Sequence, residues 1–568
     1  MRMENRLMRL YKDFYTREEV EGLVEAHGGF TGAAKVMNEI HDQWILDNEF
    51  GDPEDAPPMA SESGIRGFLV TKTKQTKKKD LPIATGIVSA PDTRRKRLVG
   101  SRFVFTSAQN NTLVHENFLA ALLNFCQHND AELIVSRFTY NKSGFQNKTK
   151  ESGDKELWYD ERLTEYFVDH SVEVADDLIF CGELDILPTA GQPLSGFENY
   201  TQGNSGIIPH AKVNMLSLPR LKGENPRFLY TTGAITLRNY IQRKAGQKAD
   251  FHHVFGALYV EIDEQGRWFA RQLIADNSGS FYDLTTHYTH EGVHGGHNVM
   301  AINYGDIHIE KIDPEVFQGT WGGDGSLSSV LMPTYQFIHD LTDFTARNHH
   351  NIKDPYFLAE QYWNGEGDVE DGLRKSALFL EEINKYGYVV VVESNHDQAY
   401  QRWLKEADIR TDPANAEFFH RSNAKIHAAI REGLSPADFS VYEWALREKA
   451  PLKNVIFLRE DDSFVICNDA KAEELGRTIG GIECGIHGHR GPNGARGNSK
   501  QFKQIGRKVN LGHSHSAAII DGVYVAGVSG RLDMDYNKGP STWSHSHIVT
   551  YENGKRTIIT MKDGKWRA

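Results

Sequence analysis

Apolar positions fall at helical spacing near the start of the chain and give way further on to short β-branched runs. Thr16 and Glu19 form a capping-box pair, and Val20, Leu23 and Val24 follow on one helical face. "HGGF" (27–30) reads as a turn, and Ala34, Val36, Met37 and Ile40 mark a second helix opened by Thr31. From about 100 the pattern becomes strand, helix, strand: "RFVFTSA", "NTLVHENFLAALLNFCQHN", "AELIVSRFTY". That order predicts an α/β layer. From about 296 short apolar strands alternate with helices, and nearly every strand ends in Asp, Asn or His. Ligands of open α/β sheets bind at the carboxyl ends of strands, so these polar ends are expected to converge.

Five such clusters occur. "MAINYGDIHIE" ends in Asp306 and His308, two apart and therefore on the same face of an extended chain. "TYQFIHDLTDF" supplies Asp340 and Asp343, and "YGYVVVVESNHDQAY" breaks into Asn395, His396 and Asp397. "IECGIHGHRG" gives His487 and His489, and "VNLGHSHS" gives His513 and His515. A lone Asp after a strand is commonly a cap, and a lone His is commonly a satisfied core residue. Five clusters in this arrangement are hard to explain as separate caps. Carboxylate, amide oxygen and imidazole without thiolate suit Mn²⁺, Fe²⁺ or Zn²⁺ and disfavour a structural zinc site. The set is large enough for two ions sharing one carboxylate.

The series Asp-x-His, Asp-x-x-Asp, Asn-His-Asp, His and Gly-His-x-His resembles the calcineurin-like metallophosphoesterase superfamily, with a layout similar to its Mre11/SbcD-type nucleases. The resemblance covers about 300–550. It implies a C-terminal four-layer αββα sandwich, preceded by a small helical unit and a mixed α/β accessory domain. Carried over by position, it implies Asp306, His308 and His515 at one ion and Asn395, His487 and His513 at the other. Asp340 bridges them, His396 contacts the scissile phosphate and assists the leaving oxygen, and Asp343 orients neighbouring groups. Mn²⁺ is the expected metal, with Mg²⁺, Fe²⁺ or Zn²⁺ as alternatives. The implied reaction is in-line attack on phosphorus by a hydroxide held between the ions. His339 and Ser394 replace glycines of the family pattern and mark a divergent branch. The chain is also similar to long pre-early proteins of virulent siphophages that degrade host DNA, which would place it in the host cytoplasm.

The 568 residues are too many for one core, and the expected division is a helical unit (1–50), a linker (51–64), an accessory domain (65–295) and a catalytic domain (296–568). The stretch 25–48 resembles a Fis-type helix-turn-helix, but Asp42, Asp47 and Glu49 would repel phosphates, which favours a docking or oligomerisation bundle. A homo-oligomer is left open. Four scattered cysteines fit a reducing compartment, and no segment reads as a membrane span or signal peptide. No motif asks for a small organic cofactor.

A net charge of −13 argues against a general nucleic-acid coat, so DNA contact has to come from local cations or metal. Basic runs occur at 72–79 and 94–97. A further basic segment, 489–508, carries Arg490, Arg496, Lys500, Lys503, Arg507 and Lys508 between two clusters, and Arg347 follows Asp340 with His349 and His350. Arg490, Arg496, Lys500 and Arg347 are the expected phosphate contacts. "HYTHEGVHGGH" (287–297) reads as a glycine-punctuated loop rather than an extra metal site. His545 and His547 read as a surface or near-site face of a terminal hairpin turning at Asn553-Gly554. The expected function is a DNA-hydrolysing phosphodiesterase, that is, a deoxyribonuclease. The alternatives are a phosphodiesterase or phosphatase of small esters and a non-catalytic scaffold; fold alone does not choose among them.

Overall fold

The computed structural model describes residues 14–47, 57, 59–61, 65, 69, 96–140, 157–348, 352, 354–435, 438–469, 473, 480–534 and 537–568. The chain divides into two compact units, 1–93 and 94–568. In the first, helices Arg17–Ala26 and Phe30–Asp47 bury Val20, Ala33, Ala34 and Met37 against Ala60 and Ile65. The expected capping box is present: Glu19 N–H donates to Thr16 Oγ1 at 3.3 Å, and Thr16 N–H donates to the Glu19 carboxylate at 2.7 Å. The basic run 72–79 lies outside the described residues. Of the run 94–97, Lys96 and Arg97 form an exposed strand parallel to Ser171–Ala175.

The second unit is mixed α/β and is built on four sheets. A six-stranded sheet runs in the order Val455–Leu458, Tyr388–Val392, Tyr335–Ile338, Ala301–Asn303, Ser546–Thr550, Arg556–Thr560. The first four strands are parallel, and the last two form the antiparallel terminal hairpin. Its side chains alternate between two apolar layers. Ile302, Ile338, Val389, Val391, Val549 and Ile559 face helices through Trp321, Leu373, Leu380 and Trp403. Ala301, Phe337, Val390 and Val392 face the other way, onto Ile466, Ile482 and Cys484. Burial on both faces explains why these strands are continuous apolar runs such as "YVVVV".

Ile466 and Ile482 belong to an eleven-stranded sheet that joins strands from 96–231 to strands from 465–525. The two sets meet where Met215–Leu218 pairs antiparallel with Ala518–Ile520. This sheet therefore spans position 295, and residues 94–568 form one compact unit across it. The expected strand–helix–strand near 100 is present, with Arg102–Gln109 and Glu132–Phe138 parallel around helix Glu116–Asn129. The segment 287–297 is not a loop: Thr286–Tyr288 pairs with Val293–His294, and His287 stands opposite His294.

A cation is buried where the terminal hairpin meets the larger sheet. Arg556, only 4% exposed, donates to Val509 O (3.0 Å), Asn510 Oδ1 (2.8 Å) and Gly522 O (2.8 Å), and its guanidinium lies 3.9 Å from the Tyr524 ring centre. Asn510 in turn donates to Asn303 Oδ1 at 2.7 Å, reaching the six-stranded sheet. Arg556→Ala should destabilise the chain by about 2–4 kcal/mol, since it opens a cavity and strands three buried acceptors. Arg556→Lys should recover only part of this, because one ammonium cannot reproduce the planar fork. A lowered unfolding midpoint in both variants, larger for Ala, is the expected result in a denaturant titration.

Candidate metal centre

The five polar clusters converge. Asp306 and His308 follow strand Ala301–Asn303, Asp340 and Asp343 follow Tyr335–Ile338, and Asn395 to Asp397 follow Tyr388–Val392. His487 follows Ile482–Glu483 and His513 and His515 follow Lys508–Leu511, both in the other sheet. Backbone hydrogen bonds fix the meeting point. His308 N–H donates to Asp340 O (2.7 Å), Asp306 N–H to Gly527 O (3.1 Å) and Gly512 N–H to His487 O (2.9 Å). A Cβ on Gly512 would collide with Asp306 Oδ1, so glycine there lets that carboxylate close in.

The local backbone is strained where the side chains are aimed. His308, Asp340, His513 and His515 all take left-handed φ values, of 47°, 43°, 70° and 56°. Such conformations cost about 1–3 kcal/mol each outside glycine and cluster at functional sites.

Three overlapping groups of ligand-type atoms result: Asp306, His308, Asp340 and His515; Asp340, His487 and His513; and His308, Asp343 and His396. Within each group the atoms lie within 4.8 Å of one another. Asp340 Oδ2 is 3.6 Å from His308 Nε2, 3.4 Å from His487 Nε2 and 4.0 Å from His515 Nε2. His515 Nε2 is 3.1 Å from both Asp306 Oδ2 and His308 Nε2. Asp306, His308 and Asp340 are at most 1% exposed, and His487 is 2% exposed. Several buried atoms of this group have no hydrogen-bond partner: Asp306 Oδ1, Asp340 Oδ1, Asn395 Oδ1 and His487 Nδ1. Buried polar atoms without partners are rare, and a bound cation satisfies this donor set. These His and Asp groups are thus positioned to hold a metal ion.

The electrostatics agree. Burial pushes Asp340 up, but His487 and His396 overcome this and hold it well below the ordinary carboxylate range. Burial pulls His515 down, yet hydrogen bonding to Asp306 and Asp340 lifts it to about 9. His487 is likewise lifted, against burial, by Asp340. His487 and His515 thus favour the protonated form, and a metal bound through them would displace those protons.

Around this centre, His308 Nδ1 donates to Asp343 Oδ1 at 2.9 Å, which turns Nε2 toward Asp306 and Asp340. Asp343 also accepts from Thr345 Oγ1 (2.5 Å), and its N–H donates to Glu310 (2.6 Å). His396 Nδ1 donates to Asp343 O at 3.1 Å. Asp397 accepts from Tyr442 OH (2.8 Å), Ser394 Oγ (2.9 Å) and Thr342 N–H (3.2 Å), pinning the turn that carries Asn395 and His396. Burial, with Asp340 nearby, pushes Asp397 up to about 7.

Other expected residues fall elsewhere. Arg347 is not an outward phosphate contact: its Nε and Nη2 both donate to Asp412 at 2.6 Å. Arg490 pairs with Glu460 at 2.7 Å, Lys503 with Asp521 and Arg507 with Glu483, so acids remote in sequence answer part of the basic segment. Arg496 and Lys500 are exposed and have no ion-pair partner among the described residues. His349 and His350 lie outside the described residues. His545 and His547 are buried rather than on a surface: His545 donates to Gly530 O at 3.0 Å, and His547 Nδ1 accepts from Gly305 N–H at 3.0 Å. Among the described residues the four histidines of 287–297 form no metal-type group; His287 stacks on Tyr282 with ring centres 4.3 Å apart.

Sequence reasoning missed Glu310, Glu460 and Trp543. Glu310 continues the alternation of Asp306 and His308 and was legible from spacing. Glu460 follows a strand end, as the other clusters do. Trp543 carries no local signal; the fold brings its ring to within 4.2 Å of the His515 ring centre.

No protein-family model matches the chain, and no solved structure matches it. It is 48% identical over 508 residues to Protein A1 of Escherichia phage T5, an alignment covering 87% of this chain and 88% of that protein. Among the described residues no helix is long and apolar enough to cross a membrane. Identity of that level over nearly the whole length places the chain in the family of phage Protein A1.

Proposed function

We propose that the chain is a metal-dependent phosphodiesterase of the metallophosphoesterase type, hydrolysing DNA in the cytoplasm of an infected host. The observation that carries this reading is the sharing of buried Asp340 between two groups of metal-type side chains. Two sheets packed face to face, with helices over the outer face of the six-stranded one, support the αββα sandwich. Two divalent cations, Mn²⁺ first among them, would supply positive charge at the phosphate and lower the pKa of the attacking water. Asp306, His308 and His515 would hold one, Asn395, His487 and His513 the other, and Asp340 both. Asn395 fits through its unpartnered buried Oδ1.

His396 is the acid. Burial lowers its pKa, but Asp340 and Asp343 raise it above the ordinary histidine value, so near neutrality it can carry the proton that the leaving oxygen needs. Its Nδ1 is held by Asp343 O, which assigns Nε2 to that transfer. Asp343 acts through His308 and is a positioning residue, as carboxylates behind metal-bound imidazoles are.

DNA as substrate is supported by exposed Arg496 and Lys500 on the segment between His487 and His513. The commitment of Arg347 and Arg490 to carboxylates favours the second reading, a small phosphate ester.

Linear and closed-circular duplex DNA incubated with the protein should be cut with Mn²⁺ and left intact with chelator. Asp340→Ala should abolish cutting and reduce bound metal by elemental analysis. Persistence of either property would overturn the bridging role. Hydrolysis of a small diester without DNA cleavage would select the second reading. His396→Ala should keep the bound metal and lose about 10²–10⁴-fold in kcat. Near-parental turnover in that variant would remove His396 from the reaction.

A further inference from the structure

Glu310 stands two residues beyond His308, where the pairing of two chain segments passes from backbone to side chain. Ile307, His308 and Ile309 donate their N–H groups in turn to the carbonyls of His339, Asp340 and Leu341, at 3.0, 2.7 and 3.0 Å. Glu310 then brings its carboxylate onto the same partner segment, accepting from Asp343 N–H at 2.6 Å and Thr345 N–H at 3.4 Å. Between those donors lies Phe344, left-handed with a φ of 57°. N–H groups around such a residue form a concavity suited to an anion, and the Glu310 carboxylate fills this one. A Cβ on Gly372 would stand 3.0 Å from Glu310 Oε1, so glycine there leaves the carboxylate its place. The residue gripped in this way is the junction of the centre. The Asp343 side chain accepts from His308 Nδ1 at 2.9 Å and Thr345 Oγ1 at 2.5 Å, and its carbonyl accepts from His396 Nδ1 at 3.1 Å.

Resting on the phosphodiesterase reading, we infer that Glu310 is a positioning residue: by anchoring the Asp343 backbone it aims His308 at the ion and His396 at the leaving oxygen. Asp343 and Thr345 are buried, so removing the carboxylate leaves two N–H donors without their acceptor beside a strained turn. The turn then moves, and both imidazoles hydrogen-bonded to Asp343 move with it. A displacement of about 1 Å at reacting groups costs about 10²-fold in rate, and loss of a carboxylate behind a metal-bound imidazole costs about 10–100-fold in metal affinity or activity. The two consequences are separable. Aim of His308 is read in the affinity for metal, and aim of His396 in how strongly the rate depends on the leaving group.

The test has two arms, both on the full chain. In the first, at saturating Mn²⁺, methyl p-nitrophenyl phosphate, whose leaving group departs unprotonated, is compared with methyl phenyl phosphate, whose leaving oxygen needs the proton. Glu310→Ala should lower kcat about tenfold more on the phenyl ester than on the nitrophenyl ester. Glu310→Gln, whose amide oxygen still accepts from Asp343 N–H, should stay within about threefold of the parent on both. Equal losses on the two esters would mean a general loosening of the fold, and would overturn the part concerning His396. In the second arm Mn²⁺ binding is followed by calorimetry. Affinity should fall about tenfold in Glu310→Ala and be restored in Glu310→Gln; unchanged affinity in Glu310→Ala overturns the part concerning His308. Should Glu310→Ala not fold, Glu310→Asp replaces it, since the shorter side chain keeps the charge and cannot span to both N–H groups, and the same two losses are expected. A parent that cuts only DNA is compared on strands with ordinary and sulfur-bridged linkages, where the thiolate departs unprotonated. If the parent hydrolyses none of these, the phosphodiesterase reading fails and the role of His396 falls with it, while the calorimetry still decides whether Glu310 sets His308.

Discussion

Burial of the Asp340 carboxylate at the seam between two sheets is the constraint on which the surrounding structure depends. An isolated buried carboxylate costs several kcal/mol, and here Asp306 and Asp343 are buried beside it. Among the described residues no lysine or arginine pairs with Asp306 or Asp340; the groups within reach are imidazoles, His308, His487 and His515. An imidazole can balance the charge only while protonated, and His308 is held by burial on the neutral side of its ordinary value. Protons on His487 and His515 balance part of this charge in the absence of a metal. Divalent charge answers it, and leaves the imidazoles neutral as ligands.

The same seam explains the backbone. Two strand ends from different sheets must bring side chains within about a hydrogen-bond length of each other, and regular extended geometry would carry them past. Left-handed turns at His308, Asp340, His513 and His515 bend each chain sharply at the residue that has to point inward. The bond from His308 N–H to Asp340 O and the close approach permitted by Gly512 hold those turns in place. Strain is stored at the residues that form the candidate centre, and the apolar layers on either face of the six-stranded sheet offset it.

Much of the centre was legible because its signal is chemical and local. Residues two apart after a strand share a face, so Asp306 with His308 and His513 with His515 could be paired without a fold. Distant carboxylates were invisible to the same reasoning: Asp412 and Glu460 neutralise Arg347 and Arg490 from positions that no spacing rule connects. Local pattern also misread 287–297, where two strands too short for a period-2 signal pair through a glycine-containing turn. It left His545 and His547 on a surface or near-site face; both are buried, His547 against Gly305 beside Asp306, and a strand buried on both faces hides the alternation that separates inside from outside. In the first half of the chain the strands were recognisable, but their partners were not, because register with 518–520 is set by tertiary contact alone.

That long-range pairing changes what the two halves of the chain mean. The resemblance to metallophosphoesterases stops near 300, yet the sheet that carries His487, His513 and His515 is completed by strands from 171–231. Ala518–Ile520 follows His515 by three residues and has Met215–Leu218 as its outer neighbour, so the loop bearing one side of the centre is braced by the first half of the chain. Lys212, buried and paired with Asp521, adds an ionic tie at the same junction. The segment holding Trp543 is braced in the same way, through Arg220 and Ser541. The strands before 295 therefore belong to the scaffold of the candidate centre, and this agrees with likeness to phage Protein A1 extending over most of both chains rather than over the part that carries the centre alone.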